Sequence, residues 1–226
     1  AAQIEEMDRG IGQVLQTLRA SGLDNNTIVI FLSDNGGAAE DPNRSPPGAV
    51  LGTRESYKGY GIRGAHVSSA PFRKTKKFTH EGGIASPLII AWPAGIAPSR
   101  RGSMAHEVSH IIDIIPTCLA LAGASWPGQW NGSATLPPEG VSLAPLLQGG
   151  SLSRPNPLCW EHEGHRAIRD GKWKLVASFD EPWELYDMKA DRTESRDLAA
   201  ARPGTVRKLT AAYAAWASRI GVQPWR

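Results

Sequence analysis

Thr27-Ile28-Val29-Ile30-Phe31-Leu32-Ser33-Asp34-Asn35-Gly36-Gly37 is the stretch on which the fold turns. Its first six residues are an unbroken β-branched and aromatic run, too short for a helix and apolar on both faces. Such a strand is normally buried on both sides, in a parallel sheet covered by helices. The run stops at a polar turn, and in open α/β sheets ligands bind just beyond strand C-termini. There Asp34 and Asn35 offer a carboxylate and an amide oxygen, hard donors suited to Ca2+ or Mg2+. The two glycines let the backbone leave the strand sharply. A plain Asx/Gly turn is the competing reading, although no alternating strand follows Gly37 as a hairpin would require.

Upstream, Ile4, Met7, Ile11, Val14, Leu15 and Leu18 recur at helical spacing, with Gly22 placed as a C′ residue. Gly10 and Gly12 weaken that helix by about 1 kcal/mol each relative to alanine, so close packing against a neighbour is expected there. Downstream, residues 38–71 hold little periodicity and read as one long loop. Pro87 to Trp92 predicts a second apolar strand and Val108 to His110 a third. Asp113 is expected to cap a helix that runs through Ala122 and stops at Gly123. From Trp126 to Pro157 the chain is rich in Pro, Gly and Ser, which marks a boundary.

Beyond that boundary the grammar changes. Leu158–Glu161, Arg166–Arg169, Trp173–Ala177 and Trp183–Asp187 predict short strands, and Asp170-Gly171 predicts a hairpin. A last helix over Val206–Ile220 aligns Leu209, Tyr213, Trp216 and Ile220 on one face. The expected organisation is therefore an α/β part over residues 1–150 and a small α+β domain over 151–226. Trp160 and Trp173 are expected in the core of the small sheet.

Composition excludes several classes. A net charge of +3 over 226 residues is too diffuse for nucleic acid, and no apolar run is long enough to span a bilayer. Cys118 and Cys159 have no CxxC or zinc-ligand spacing. Cys118 reads as a small buried hydrophobe, and a single disulfide between the two remains open.

Several ordered segments together resemble the sulfatase family. MDRGIGQVLQTLRASGLDNNTIVIFLSDNGG (residues 7–37) is similar to its helix, strand and metal loop. SSAPFRKTKKFTHEGGIASPLIIAWPAGI (68–96) is similar to its next signature. HIIDIIPTCLALAG (110–123), EHEGHRAIRDGKWKLV (161–176) and PWELYDMKADRTESRDLA (182–199) match as well. The resemblance implies an alkaline-phosphatase-like α/β sandwich, truncated on its N-terminal side and followed by a small α+β domain with an antiparallel sheet and a C-terminal helix. It implies metal-dependent hydrolysis of small-molecule or carbohydrate sulfate esters. Asp34 and Asn35 would complete a Ca2+ site (Mg2+ being possible) whose other carboxylates lie upstream. Lys76, five residues before Glu81, would hold a sulfate oxygen, with Lys77 as the neighbour most easily mistaken for it.

Departures from the family pattern shape what else is expected. The family nucleophile is a formylglycine made within a Cys/Ser-x-Pro-x-Arg motif. Cys118, Cys159, Ser45 and Ser99 do not begin one, so the nucleophile segment is expected to be missing and the fragment inactive by itself. Ala85 stands where an arginine is usual. Glu81-Gly82-Gly83 is expected to form the turn into the next strand. Tyr57, Tyr60, Arg63, His66, His162, Glu163 and His165 are candidates for the pocket mouth, of which His162 is carried as a substrate-binding residue. Rival readings are a phosphonate or phosphate monoester hydrolase of the same superfamily, and a non-catalytic structural fragment. A periplasmic, secreted or lysosomal setting would suit the family.

Overall fold

The computed structural model describes residues 2–40 and 44–226. They form two compact units, each assembled from separate stretches of chain: one runs to Phe31 and resumes over Leu88–Pro155, the other takes Leu32–Pro87 and Asn156–Arg226.

The first unit opens with α1 (Ala2–Ala20), closed by Gly22 at φ 67°. Its apolar stripe is not buried: Ile4, Met7 and Val14 are 67%, 51% and 61% exposed. A Cβ on Gly10 or Gly12 would meet nothing within 4 Å, so the close packing expected there is not found among the described residues. Strand β1 (Val29–Leu32) pairs with β2 (Leu88–Ala91) as a two-stranded sheet. Ala94 N–H donates to Asn25 C=O, and Ser33 N–H to Pro87 C=O, so the strands run antiparallel. Against the expected parallel pairing, β1 is antiparallel to the neighbour it has among the described residues. Phe31 and Ile89 remain 40% and 59% exposed.

Val108–His110 forms no strand. His110 instead caps a short 3-10 turn (Ile111–Asp113) that leads into a helix, Ile114–Leu121. Asp113 does not cap that helix with its side chain. The buried carboxylate accepts from the His110 and Val141 N–H groups, at 2.8 and 2.9 Å, and pairs with Arg154. Thr117 is turned inward and accepts from Leu143 N–H at 2.8 Å. Cys118 therefore faces out, against its expected burial, and no disulfide joins it to Cys159. A minimal hairpin (Gln129–Trp130 with Ser133–Ala134) and one turn of helix (Ala144–Leu147) occupy the Pro/Gly-rich stretch.

The second unit contains a helix within the stretch expected to be loop: α2, Gly61–Ser69. A single helical turn, α3 (Glu81–Ile84), follows, so Glu81-Gly82-Gly83 makes the turn as expected, in helical form. The strands expected after residue 157 are found close to their expected bounds, although the unit they belong to also takes in Leu32–Pro87. Numbering its strands after the 129–134 hairpin (β3 and β4), β5 (Leu158–His162), β6 (His165–Asp170), β7 (Trp173–Ala177) and β8 (Glu184–Asp187) form an antiparallel sheet in sequence order.

Period-two alternation gives this sheet two occupied faces. Ile168, Leu175 and Leu185 point one way and pack on Leu209 and Tyr213 of α6 (Pro203–Ile220), with Trp173 and Trp216 at the margin. Ala167, Val176, Tyr186 and Met188 point the other way, with Trp160 against them. Lys174, paired with Tyr186, lies on this second face. Leu175 is fully buried between sheet and helix. Leu175→Ala should therefore lower unfolding free energy by about 2–5 kcal/mol, read from denaturant midpoints. A loss below about 0.5 kcal/mol would mean the α6 face is not the core of this domain.

Candidate active site

Strand β1 delivers Ser33, Asp34, Asn35, Gly36 and Gly37 into a crowded backbone junction. Gly36 N–H donates to Gly83 C=O at 2.9 Å, and a Cβ on Gly36 would sit 1.7 Å from the Gly82 oxygen. Gly37 lies close to Ala65 of α2, where a Cβ would meet backbone at 2.6 Å. Its N–H donates to Ser69 Oγ at 3.1 Å, and its C=O accepts from Lys76 N–H at 3.0 Å. No side chain fits at Gly36 or Gly37, which is why this turn needs both glycines. The proposed ligand pair and Lys76 are thereby tied together through main chain. Asp34 is exposed and Asn35 half-buried. The Asn35 amide nitrogen donates to Gly36 C=O at 2.9 Å, leaving Oδ1 as its free oxygen for a cation. Among the described residues no three His, Cys, Asp or Glu side chains gather as a metal cluster.

Lys76 sits in the loop from Arg73 to Glu81, which closes on itself. Gly82 N–H donates to Arg73 C=O at 2.8 Å across its base. A Cβ on Gly82 or Gly83 would overlap carbonyls of Arg73, Lys74, Phe78 and Thr75. Lys74 and Lys77 adopt positive φ, 64° and 84°, so the chain reverses on either side of Lys76. The ammonium of Lys76, 39% exposed, is 3.8 Å from Glu40; that of Lys77 is 3.5 Å from Glu163.

Both ends of this loop are pinned to the second face of the small sheet. Arg73 Nη1 donates to Tyr186 Oη at 2.6 Å and to Glu194 C=O at 2.8 Å, with Glu184 at 3.3 Å. His80 Nε2 is 3.0 Å from Glu184. Glu81 pairs with Lys174 at 2.9 Å, and its N–H donates to Glu194 at 2.9 Å. Lys174 also pairs with Glu194 at 2.7 Å.

Burial raises both Glu81 and Glu194, but their neighbours differ. Lys174, Arg169 and Arg192 outweigh burial at Glu81 and hold it below the usual range. Glu194, fully enclosed and facing Glu81, stays above it. Burial also drives His80 down to about 4 against the opposing Glu184 bond, so its ring is neutral near pH 7.

A cavity of about 480 Å3 opens beside the loop, lined among others by Lys74, Phe78, His165, Phe179, Glu181 and Trp225. Glu163 also lines it, while His162, 57% exposed at the β5–β6 turn, stands 3.9 Å from that carboxylate. Sequence reasoning overlooked Arg73, Lys174, Glu184 and Glu194. One usable signal was Lys174 sharing a strand face with Val176 between apolar neighbours. It also passed over Ser69-Ala70-Pro71-Phe72-Arg73, which fits the Cys/Ser-x-Pro-x-Arg pattern. Ser69 is 7% exposed with its oxygen bonded to Gly37, and Arg73 is committed to the sheet, so both are structural in this arrangement.

Comparisons with known proteins bear on the family and the fold. A family model described as Sulfatase matches residues 1–124. An uncharacterized sulfatase of Schizosaccharomyces pombe is 33% identical over 98% of this chain, which spans 43% of that relative's length. The chain also superposes on a structure from work on glycosaminoglycan metabolism in Bacteroides thetaiotaomicron (TM-score 0.67, 24% identity, 91% of this chain and 42% of that one). A structure in complex with its substrate D-glucosamine-2-N,6-O-disulfate gives a TM-score of 0.61 at 23% identity, over 98% of this chain and 40% of that one. The fold is that of the alkaline-phosphatase-like sulfatases.

The buried neutral imidazole makes a pH prediction. Because the folded pKa of His80 lies below its unfolded value of 6.5, its stabilising contribution is complete above pH 6.5 and is lost as pH falls toward 4. The loss is on the order of 3 kcal/mol. Glu194 works in the opposite direction, so the comparison must be made against His80→Gln. Urea midpoints at pH 7.5 and 4.5 should drop more for the wild type than for H80Q; equal drops would contradict a buried neutral His80.

Proposed function

The chain belongs to the sulfatase family, and we propose that it supplies the metal-coordinating turn and the sulfate-holding lysine of a sulfuric ester hydrolase of arylsulfatase type. The observation that carries this reading is the Lys76 N–H to Gly37 C=O bond, which brings the lysine to the turn holding Asp34 and Asn35. Asp34 and Asn35 Oδ1 are hard oxygen donors and fit Ca2+, or Mg2+, as part of a larger ligand set. Such a cation, when bound, supplies positive charge that polarises the sulfate oxygens.

The rest falls to this chain's own side chains. Lys76 is loosely paired with Glu40 at 3.8 Å on the surface, and such exposed pairs are worth little. A substrate sulfate therefore displaces Glu40 at small cost, and the ammonium then neutralises charge that grows as the S–O bond breaks. Lys77 is turned toward Glu163 and takes no part. The leaving alcohol is assigned to the cavity beside the Arg73–Glu81 loop, which Lys74 and Phe78 line and Lys76 does not. Phe78, Phe179 and Trp225 give ring faces, Glu181 and His165 give hydrogen-bonding groups, and His162 stands 3.9 Å from the lining carboxylate of Glu163. That mixture suits a hydroxylated ring better than a purely apolar one. The nucleophile, expected as a formylglycine, is assigned to sequence outside these 226 residues.

In the intact enzyme Lys76→Ala should lower kcat on an aryl sulfate by roughly two orders of magnitude or more, and Lys77→Ala should have little effect. Reversed effects would place the anion contact at Lys77. Faster turnover of an aryl phosphonate would instead favour the phosphonate hydrolase reading. The 226-residue chain alone, with added Ca2+, should show no turnover beside an upstream-extended form. Mass analysis should find Ser69 unmodified. Turnover by the chain alone, or a Ser69 peptide lighter by two hydrogen atoms, would put the nucleophile here.

A further inference from the structure

Lys174 has no part in the chemistry just described, yet it is fully buried on the loop-facing side of the small sheet. Its ammonium lies 2.9 Å from Glu81 and 2.7 Å from Glu194, side chains that are 5% and 0% exposed. Removing three ionised groups from water is unfavourable, and apolar packing would stabilise a sheet face at least as well. What the ions hold is therefore informative. Glu194 Oε2 accepts the Glu81 N–H at 2.9 Å, and Glu194 C=O accepts from Arg73 at 2.8 Å. One residue thus grips both ends of the loop that carries Lys76. It does so at a positive φ of 54°, a conformation unfavourable for glutamate unless its surroundings impose it. Lys174 fixes that residue and, through Glu81, the first residue of α3.

We propose that Lys174 of the small sheet and Glu194, beyond its last strand, are positioning residues, a buried clamp that sets where the Arg73–Glu81 loop presents Lys76 to the sulfate. The catalytic half of this inference rests on the proposed role of Lys76; the clamp itself does not. Displacing a charge contact by about 1 Å can cost on the order of 100-fold in rate, so the clamp acts on turnover without touching substrate.

The test uses the intact enzyme with Lys174→Met, Glu194→Gln, Lys76→Ala and the combinations of each clamp variant with Lys76→Ala. Backbone amide exchange comes first. Residues 73–83 should exchange faster in the clamp variants while the paired strands β5–β8 keep their protection. Unchanged exchange in 73–83 overturns the clamp, whatever Lys76 does. Kinetics come second. Lys174→Met should lower kcat by roughly 10- to 100-fold with KM changed much less. Added to Lys76→Ala it should cost almost nothing further, because the group it positions is already gone. Multiplying effects would show a merely structural ion cluster and overturn the positioning role. If Lys174→Met does not fold, Glu194→Gln, which keeps side-chain size, carries the same cycle; wild-type kcat in it overturns the proposal. A wild-type rate for Lys76→Ala would refute the role of Lys76, and the exchange result would still decide the clamp.

Discussion

The buried ion cluster of Lys174 with Glu81 and Glu194 is the constraint on which the second unit depends. Lys174 is the shared partner: removing it leaves two carboxylates without their common counter-ion away from water, at a typical cost of about 3–5 kcal/mol, whereas removing Glu194 leaves the Lys174–Glu81 pair in place. Because Glu81 begins the turn that Gly82 and Gly83 continue, and Gly36 is bonded to Gly83, its position is relayed to the strand end carrying Asp34 and Asn35.

The small sheet owes this role to having two employed faces. One is filled by α6 through Ile168, Leu175 and Leu185 against Leu209 and Tyr213. The other receives the Arg73–Glu81 loop through Lys174, Tyr186 and Glu184. A helix covers its face with apolar area, which is non-directional. A loop has too little apolar area for that and is held by directional bonds instead, among them those to Arg73 and Glu81. Directional bonds fix position more narrowly than apolar contact, and position is what the anion contact proposed for Lys76 requires. The glycine junction serves the same end, since backbones in direct contact leave no slack for side chains to take up.

Local chemistry explains which elements were legible from sequence. The strands of the small domain, the Asp170-Gly171 turn and α6 announce themselves by period and turn residues, and they appear within a few residues of the expected bounds. Helix α2 did not, because GIRGAHVSS has two glycines and no strong apolar stripe; it is held by its contact with Gly37. Cys118 misled for a related reason. Its segment is apolar throughout, so periodicity could not say which side faces in, and Thr117 won that place through its bond to Leu143.

The sequence by itself determined the family, the α/β grammar, the antiparallel C-terminal sheet, and the identity of Asp34, Asn35 and Lys76 as candidates. Those follow from short-range signals: periodicity, turn chemistry and ordered motifs along one stretch of chain. Only the tertiary structure decided that Gly37 and Lys76 share a backbone bond, that β1 runs antiparallel to β2, and that Arg73, His80 and Glu81 answer to residues more than 100 positions away at Glu184, Tyr186 and Glu194. The physical reason is that an ion pair or hydrogen bond depends on distance and burial in space. A lysine in a strand reads as solvated until the fold closes over it, and Lys174 acquires its meaning only when the carboxylates of Glu81 and Glu194 are buried against it.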